Sequence, residues 1–224
     1  MQKKREGQPS ESMALGALLT LAGGFQDAYS YNGRGHVFAN AQTGNVVLLG
    51  QNLAMGHWQE ALRYLLPLLA FLAGVFAAEG CRRLFREGRL LHWRQAVLLT
   101  EILLMAAAGL FPAGADMPAN VLLSLACAMQ VESFRKIRGV PCATTMCIGN
   151  LRGGTEHLFL YLRTGDPEAR RKSLHYYGII LIFAVGASLG AAATLALGTG
   201  AIWLAAALLL AGFFLMFRRG EPAC

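Results

Sequence analysis

Residues 37–55 read VFANAQTGNVVLLGQNLAM, and this stretch decides how many times the chain crosses a membrane. Crossing roughly 30 Å of hydrocarbon needs about 20 residues, so the stretch is long enough to span. Its Asn, Gln and Thr side chains, however, make it too polar to be assigned as a span directly. A second stretch, residues 143–162, reads ATTMCIGNLRGGTEHLFLYL and has the same two properties. Both segments are therefore ambiguous, and the rest of the chain has to decide.

The remainder of the sequence is built from apolar runs. Of the 224 residues 55% are hydrophobic and 15% are charged, whereas soluble domains carry about 25% charged residues. Mean hydropathy is +0.43. The net charge of +7 comes from basic residues in the loops, which indicates orientation in a membrane rather than nucleic-acid binding. The runs that predict transmembrane helices are Met13–Tyr31, Tyr64–Gly80, Gln95–Phe111, Ala119–Phe134, Leu174–Leu197 and Ala201–Phe217.

The distribution of Lys and Arg distinguishes six crossings from eight, because cytoplasmic loops are enriched in these residues. If both ambiguous segments cross, Lys and Arg divide almost evenly between the two sides. If neither crosses, every loop Lys and Arg except Arg34 and Arg63 lies on the side of the N-terminus, with Arg152 set aside inside the second segment. The sequence therefore predicts six crossings with both termini in the cytoplasm.

The two ambiguous segments resemble each other. Thr43-Gly44-Asn45-Val46 aligns with Ile148-Gly149-Asn150-Leu151 at an offset of 105 residues, and the same offset places Asp27 on Glu132. Each half then contains a helix, a Gly-Asn segment and two further helices. Since three crossings per half invert the second half, the two Gly-Asn segments would enter from opposite faces, as broken helices do in transporters.

We therefore predict an all-α integral membrane fold with six transmembrane helices, arranged as two inverted three-helix repeats. Each repeat carries a re-entrant or broken Gly-Asn segment. The predicted parts are a cytoplasmic N-terminal tail (residues 1–12), repeat 1 (13–112), repeat 2 (119–217) and a cytoplasmic C-terminal tail (218–224).

Non-helical backbone at membrane depth is tolerated only where it is buried in protein or lines a wet cavity. Glycine permits the turn, and Asn or Thr side chains can cap the half-helix that follows it. The N-terminus of such a half-helix can also hold an anion or a carboxylate. The alternative is that both segments are ordinary polar helices whose Asn and Thr side chains bond across the bundle.

A family resemblance rests on two motifs. Gly24-Phe25-Gln26-Asp27-Ala28-Tyr29-Ser30-Tyr31, followed by the VFANAQTGNVV stretch that starts at Val37, resembles the signature of the YoaK-like bacterial membrane proteins. The resemblance covers essentially the whole chain. It implies a multispanning protein of the bacterial inner (plasma) membrane, and it implies no particular activity, because the family is built on a domain of unknown function.

Ionisable residues inside transmembrane segments are costly and are functional candidates by default. Asp27 and Glu132 would lie at matching depths and could bind a cation, take up a proton or line two gates. The alternative for Glu132 is an ion pair with Arg135 one turn later. We expect Glu101 to be structural, paired with Arg94 or Arg152. Arg152 itself could reach the cytoplasm or present a fixed positive charge to an anionic solute.

The candidate substrate- or ion-binding residues combine these groups with the polar motif positions: Asp27, Asn40, Thr43, Gly44, Asn45, Glu132, Thr144, Thr145, Gly149, Asn150 and Arg152. The five cysteines show neither a CxxC pair nor metal-ligand spacing, so we expect no metal and no disulfide. We also expect no cofactor and no enzymatic activity, because the sequence contains no nucleophile–base constellation and no phosphate-binding loop. Gly186 and Gly190 have the spacing of a helix-packing motif.

The leading functional hypothesis is a small-solute transporter, secondary and proton-coupled through Asp27 and Glu132. One alternative is an uncoupled channel with two half-helices that meet from opposite faces, and another is an intramembrane enzyme or lipid-handling protein that uses Asp27 or Glu132 as acid or base. The expected partners are the lipid bilayer and a small molecule or ion. Gly/Ala-rich faces would also suit a homo-oligomer.

Overall fold

The computed structural model describes residues 9–85 and 92–217. The predicted C-terminal tail and the start of the N-terminal tail lie outside the described residues. The described part contains eight α-helices and one short hairpin: α1 (Met13–Gly33), α2 (Gln42–Ala54), α3 (Trp58–Leu84), α4 (Trp93–Ala108), α5 (Asp116–Ser133), β1 (Lys136–Ile137), β2 (Val140–Pro141), α6 (Ile148–Thr164), α7 (Pro167–Leu197) and α8 (Ile202–Leu215).

The ends of the helices follow from local chemistry. The hydroxyl of Ser12 accepts a hydrogen bond from the amide of Leu15 at 3.2 Å and so caps α1. Asp166 caps α7 by accepting from the amide of Glu168 at 2.9 Å. The preceding α6 ends at Gly165, whose φ of 70° lies in the left-handed region that favours glycine. These capping signals place the sharp turn between α6 and α7.

The predicted order of elements agrees with the observed one. All six apolar runs are helical, and α3 and α7 begin six or seven residues earlier than their apolar runs because their first turns are polar. Each ambiguous segment consists of non-helical chain followed by a short helix. We call residues 34–41, between α1 and α2, the first break, and residues 134–147, between α5 and α6, the second break.

Helices of the two halves pack in matching pairs. Helix α1 of the first half packs along α7 of the second half, and α5 of the second half packs along α3 of the first; these are the two most extensive helix contacts. The short helix α2 lies on α3, and α6 lies on α7. Likewise α4 contacts α5 and α8 contacts α1, while α4 and α8 contact each other. Exchanging α1–α4 with α5–α8 therefore maps the two contacts of each pair onto each other and the α4–α8 contact onto itself.

Glycines bring α1 and α7 into direct backbone contact. A Cβ at Gly186 would collide with the carbonyl oxygen of Leu21, and one at Gly190 with that of Phe25. On the other side of this crossing, a Cβ at Gly24 would collide with the carbonyl oxygen of Phe183. The predicted role of Gly186 and Gly190 in helix packing is therefore confirmed.

Much of the apolar surface faces outward. Two helical stretches in the described part are long and apolar enough to cross a membrane, Trp58–Leu84 and Pro167–Leu215, and the most apolar 18-residue windows in them have mean hydropathies of 1.9 and 2.2. Only 33% and 22% of their most apolar windows are buried. The core helix of a soluble protein would be mostly buried, so this outward apolar surface is typical of a membrane-spanning protein.

Candidate functional site

In the first break, side chains provide hydrogen-bond partners for the backbone amides and carbonyls. Asn45, one turn into α2, accepts from the amide of Phe38 at 3.2 Å and donates to its carbonyl at 2.7 Å. The amide of Ala39 donates to the hydroxyl of Ser30 at 3.0 Å, and its carbonyl accepts from the side chain of Gln42 at 2.8 Å. A non-helical segment inside a membrane protein needs such bonds, because lipid supplies none.

The second break repeats this arrangement. Asn150 accepts from the amide of Ala143 at 3.2 Å and donates to its carbonyl at 2.7 Å. In both breaks the asparagine thus holds both polar groups of the residue seven positions earlier, and we call this pair of bonds the asparagine clasp. The predicted capping role is wrong in this respect: neither helix has a side-chain bond from its cap residue, Ala41 or Cys147, and both asparagines bind the preceding break.

Two glutamines join α1 and α5 reciprocally. Gln26 of α1 donates to the carbonyl of Leu123 at 2.8 Å, and Gln130 of α5 donates to the carbonyl of Leu19 at 3.2 Å. Gln130 also donates to the hydroxyl of Thr144 at 2.8 Å. The second break therefore reaches the place where α1 and α5 meet. The first break reaches it too, because the hydroxyl of Ser124 on α5 donates to Ala39 at 3.3 Å.

Asp27 is the acid at this meeting point. It is 8% exposed, and its Oδ1 accepts from the backbone amide of Asn40 at 2.8 Å. The side chain of Asn40 donates in turn to the carbonyl of Gly23 at 2.7 Å, which leaves its own oxygen buried without a partner. The hydroxyl of Thr145 is also buried and unpartnered. A carboxylate and two free polar oxygens thus lie along the two breaks.

Glu132 does not occupy the equivalent position. The residues of the two reciprocal bonds are 104 positions apart: Gln26 corresponds to Gln130, and Leu19 corresponds to Leu123. With this offset, Asp27 corresponds to Val131 and not to Glu132. Glu132 is paired instead with the exposed Arg135 on the next turn. The predicted equivalence of the two acids is therefore wrong by one residue, which on a helix is a rotation of about 100°.

The remaining predicted residues are not brought to this site. Thr43 is exposed, and Gly44 lies where a Cβ would press on the ring of Phe38 at 3.0 Å. A Cβ at Gly149 would meet nothing within 4 Å. The side chain of Arg152 is 80% exposed and bonds to Glu156 at 2.8 Å.

Sequence reasoning assigned Glu101 wrongly. Glu101 is 0% exposed, and neither of its carboxylate oxygens has a hydrogen-bond partner. The two predicted partners bond elsewhere: Arg152 pairs with Glu156, and Arg94 bonds to the carbonyl of Ser133 and the hydroxyl of Ser10. The signal in the sequence was a single acid surrounded by apolar residues in the run LLTEILLM.

A buried arginine was also missed. Arg34 opens the first break, is 0% exposed, and donates to carbonyls at and beyond the end of α4, including that of Ala108 at 2.9 Å. Its guanidinium also donates to the hydroxyl of Tyr29 at 2.8 Å and lies 3.6 Å from Asp116. Cations suit the C-terminus of a helix, so Arg34 fixes the first break to α4. The available signal was its position as one of only two basic residues on the predicted outer side.

Residues 9–85 and 92–217 contain no group of three or more His, Cys, Asp or Glu side chains close enough to bind a metal ion. The four described cysteines are free thiols, and Cys224 lies outside the described residues. The polar site is therefore made of carboxyl, amide and hydroxyl groups.

Comparison with known proteins agrees with the membrane assignment. The profile of a family described as "Protein of unknown function (DUF1275)" matches residues 15–215. The UPF0700 transmembrane protein YoaK of Bacillus subtilis (strain 168) is 26% identical over 180 residues, which cover 76% of this chain and 79% of that protein. No solved structure matches. The resemblance to YoaK-like membrane proteins, inferred from the sequence motifs, is thereby confirmed.

Proposed function

Because the chain belongs to the DUF1275 family of transmembrane proteins, we propose that it is a small-solute transporter of the bacterial inner membrane, secondary and proton-coupled. The meeting of both breaks at the α1–α5 contact, beside the carboxylate of Asp27, carries this proposal. Transporters commonly bind their substrates where broken helices of two repeats meet.

The proposed architecture is six crossings in two inverted repeats, with α2 and α6 as the re-entrant helices. It is supported by the matching helix contacts of the two halves, by the identical asparagine clasps and by the reciprocal bonds of Gln26 and Gln130. The bias of Lys and Arg supports cytoplasmic termini. An odd number of crossings per repeat makes the two breaks face opposite sides.

The bonding of the polar groups suggests which of them would contact a solute. The two clasp asparagines are occupied by backbone, so they hold the breaks in shape. The oxygens of Asn40 and Thr145 are unpartnered and could accept hydrogen bonds from a solute. Asp27 is held by the backbone amides of Asn40 and Ala41 in place of an arginine or lysine, so it can change its protonation without breaking an ion pair. Glu132 is the weaker coupling candidate, because Arg135 already pairs with it.

An uncoupled channel is the second candidate. It is favoured by the fact that both short helices, α2 and α6, begin beside breaks that reach the same contact. A channel would let solute pass in proportion to its gradient, without saturation and without a requirement for a proton gradient. A coupled transporter would show both properties.

The test is uptake by purified protein in proteoliposomes, screened over small cations, anions, amino acids and neutral solutes, with and without a pH gradient. We expect saturable, gradient-dependent uptake that is lost in Asp27→Asn. Asn at this position keeps an oxygen that can accept from the amide of Asn40, so the first break should stay folded. Gradient-independent, unsaturable flux would establish the channel instead. No flux of any solute through folded protein would refute both.

A further inference from the structure

Glu101 lies in the core of the protein with no charge to compensate its own. It is 0% exposed on α4, and its neighbours Leu98, Ile102 and Met105 on the same helix are all buried. Every other Asp and Glu among the described residues contacts an Arg or Lys or accepts from a backbone amide. Both oxygens of Glu101 lack any hydrogen-bond partner.

The described cations that reach α4 from neighbouring elements contact its two ends: Arg34 donates to the carbonyl of Ala108, and the guanidinium of Arg82 lies over the ring of Trp93. On α5 the titratable neighbour is Cys127, a fully buried thiol within electrostatic range of both Glu101 and Asp27. On α3, Cys81 packs against the cluster of Ala78, Val97 and Met129, in which Val97 lies one turn before Glu101. Helix α8, Ile202–Leu215, contains no titratable residue. Arg94 lies on α4 itself, but about two turns earlier, where it bonds to Ser133 and Ser10.

An unpaired carboxylate in such surroundings is strongly disfavoured, and the group instead becomes neutral or takes up a cation. Ions such as Ca²⁺ and Mg²⁺ need about six oxygen ligands, and no group of three or more metal-binding side chains occurs in the described residues. A proton needs only the carboxyl group itself. The chemistry of the site thus selects a proton over a metal ion.

We propose that Glu101 is a proton-binding site in the core of the protein, and that its proton exchanges with water during the working cycle. Cys127 is within electrostatic range of both Glu101 and Asp27, which links this proton to the Asp27 site. The role of the Glu101 proton as the coupling proton rests on the proposed transport function. The exchange of this proton with water does not depend on that function.

Infrared spectroscopy of the protein in lipid tests whether Glu101 is protonated, and it does not require the solute to be known. At neutral pH we expect the carbonyl absorption of a protonated carboxylic acid, shifted when H₂O is replaced by D₂O. The absorption should be lost in Glu101→Gln. It should persist in the matched control Glu79→Gln, since Glu79 is solvent-exposed and paired with Arg82, and also in Asp27→Asn. Absence of the absorption, its survival in Glu101→Gln, or its failure to shift in D₂O would overturn the proposal.

Glu101→Met separates function from folding. The side chain is apolar and similar in size, so it removes an unpartnered polar group from the core and should raise the melting temperature. If Glu101 binds the coupling proton, the same variant should lose gradient-driven accumulation of solute while solute exchange at equal pH continues. Full gradient-driven accumulation by Glu101→Met would refute the coupling role. If wild-type protein moves no solute at all, the transport function fails while the infrared result still decides the proton site.

Discussion

The first and second breaks share one bonding scheme, but only the first has a carboxylate bonded to its backbone from the α1–α5 contact. Asn45 and Asn150 clasp Phe38 and Ala143 in the same way. Beside the first break, however, Asp27 accepts from the chain directly. The clasp is therefore what allows a break to exist inside a membrane protein, whereas the acid is an addition at one break only.

The second break makes its corresponding contact with neutral groups. Gln130 bonds to the hydroxyl of Thr144, and the nearby acid Glu132 is paired with Arg135 away from the α1–α5 contact. This break also contains the β1–β2 hairpin, and the amide of Arg138 donates to the carbonyl of Glu11 at 2.7 Å. The first break is thus bonded inside the helix bundle, and the second is bonded in addition to the N-terminal segment.

The largest expected effect is a difference in uptake activity between variants of the two acids, Asp27 and Glu132. Asp27→Asn should reduce coupled uptake to background, because the carboxylate beside the first break is removed while the bond to Asn40 is kept. Glu132→Gln should retain most of the uptake, because it removes a partly exposed ion pair. Initial rates in proteoliposomes measure both. Equal losses in the two variants would show that the acids act as a symmetric pair after all.

The second prediction concerns what the breaks share. Asn45→Leu and Asn150→Leu each leave a backbone amide and a carbonyl without partners, and an unpaired buried polar group costs about 1–3 kcal/mol. Each variant should therefore lower the free energy of unfolding by about 2–6 kcal/mol, and by similar amounts. Thermal unfolding in detergent or lipid measures the loss.

Conservative controls define what the clasp needs. Asn45→Asp and Asn150→Asp keep the acceptor oxygen and lose the amide donor, so each should be less destabilising than the leucine variant at the same position. If only one break tolerates leucine, the two clasps are not equivalent and the correspondence between the halves is superficial.

Much of the fold could be predicted from the sequence, because apolar runs and their lengths report directly on helices in a membrane protein. The six runs are helical, and the two polar stretches are breaks followed by short helices. The Gly-Asn motif also located the clasps correctly, although the partner of each asparagine was different from the one expected. Side-chain partners of this kind depend on tertiary packing rather than on composition.

The site was harder to predict for the same reason. An alignment offset of 105 fits the short helices, but the glutamine bonds between α1 and α5 follow an offset of 104, and one residue turns a helical side chain by about 100°. Glu132 therefore lies on a different face from the one expected. The isolation of Glu101 depends on where Arg94 and Arg152 find their own partners, which spacing along the chain cannot reveal.

The smallest expected effect tests the contact at which both breaks meet. Gln26→Leu removes one bond, to Leu123, whereas Gln130→Leu removes two, to Leu19 and Thr144. At about 1 kcal/mol for each hydrogen bond, the loss of unfolding free energy should be about 1 kcal/mol for the first variant and about 2 kcal/mol for the second. The two bonds between the helices involve different partners, so the double variant should be additive to within about 0.5 kcal/mol. A larger loss in Gln26→Leu than in Gln130→Leu would mean that the bond between Gln130 and Thr144 contributes little to stability, and that the second break does not depend on this contact for its position.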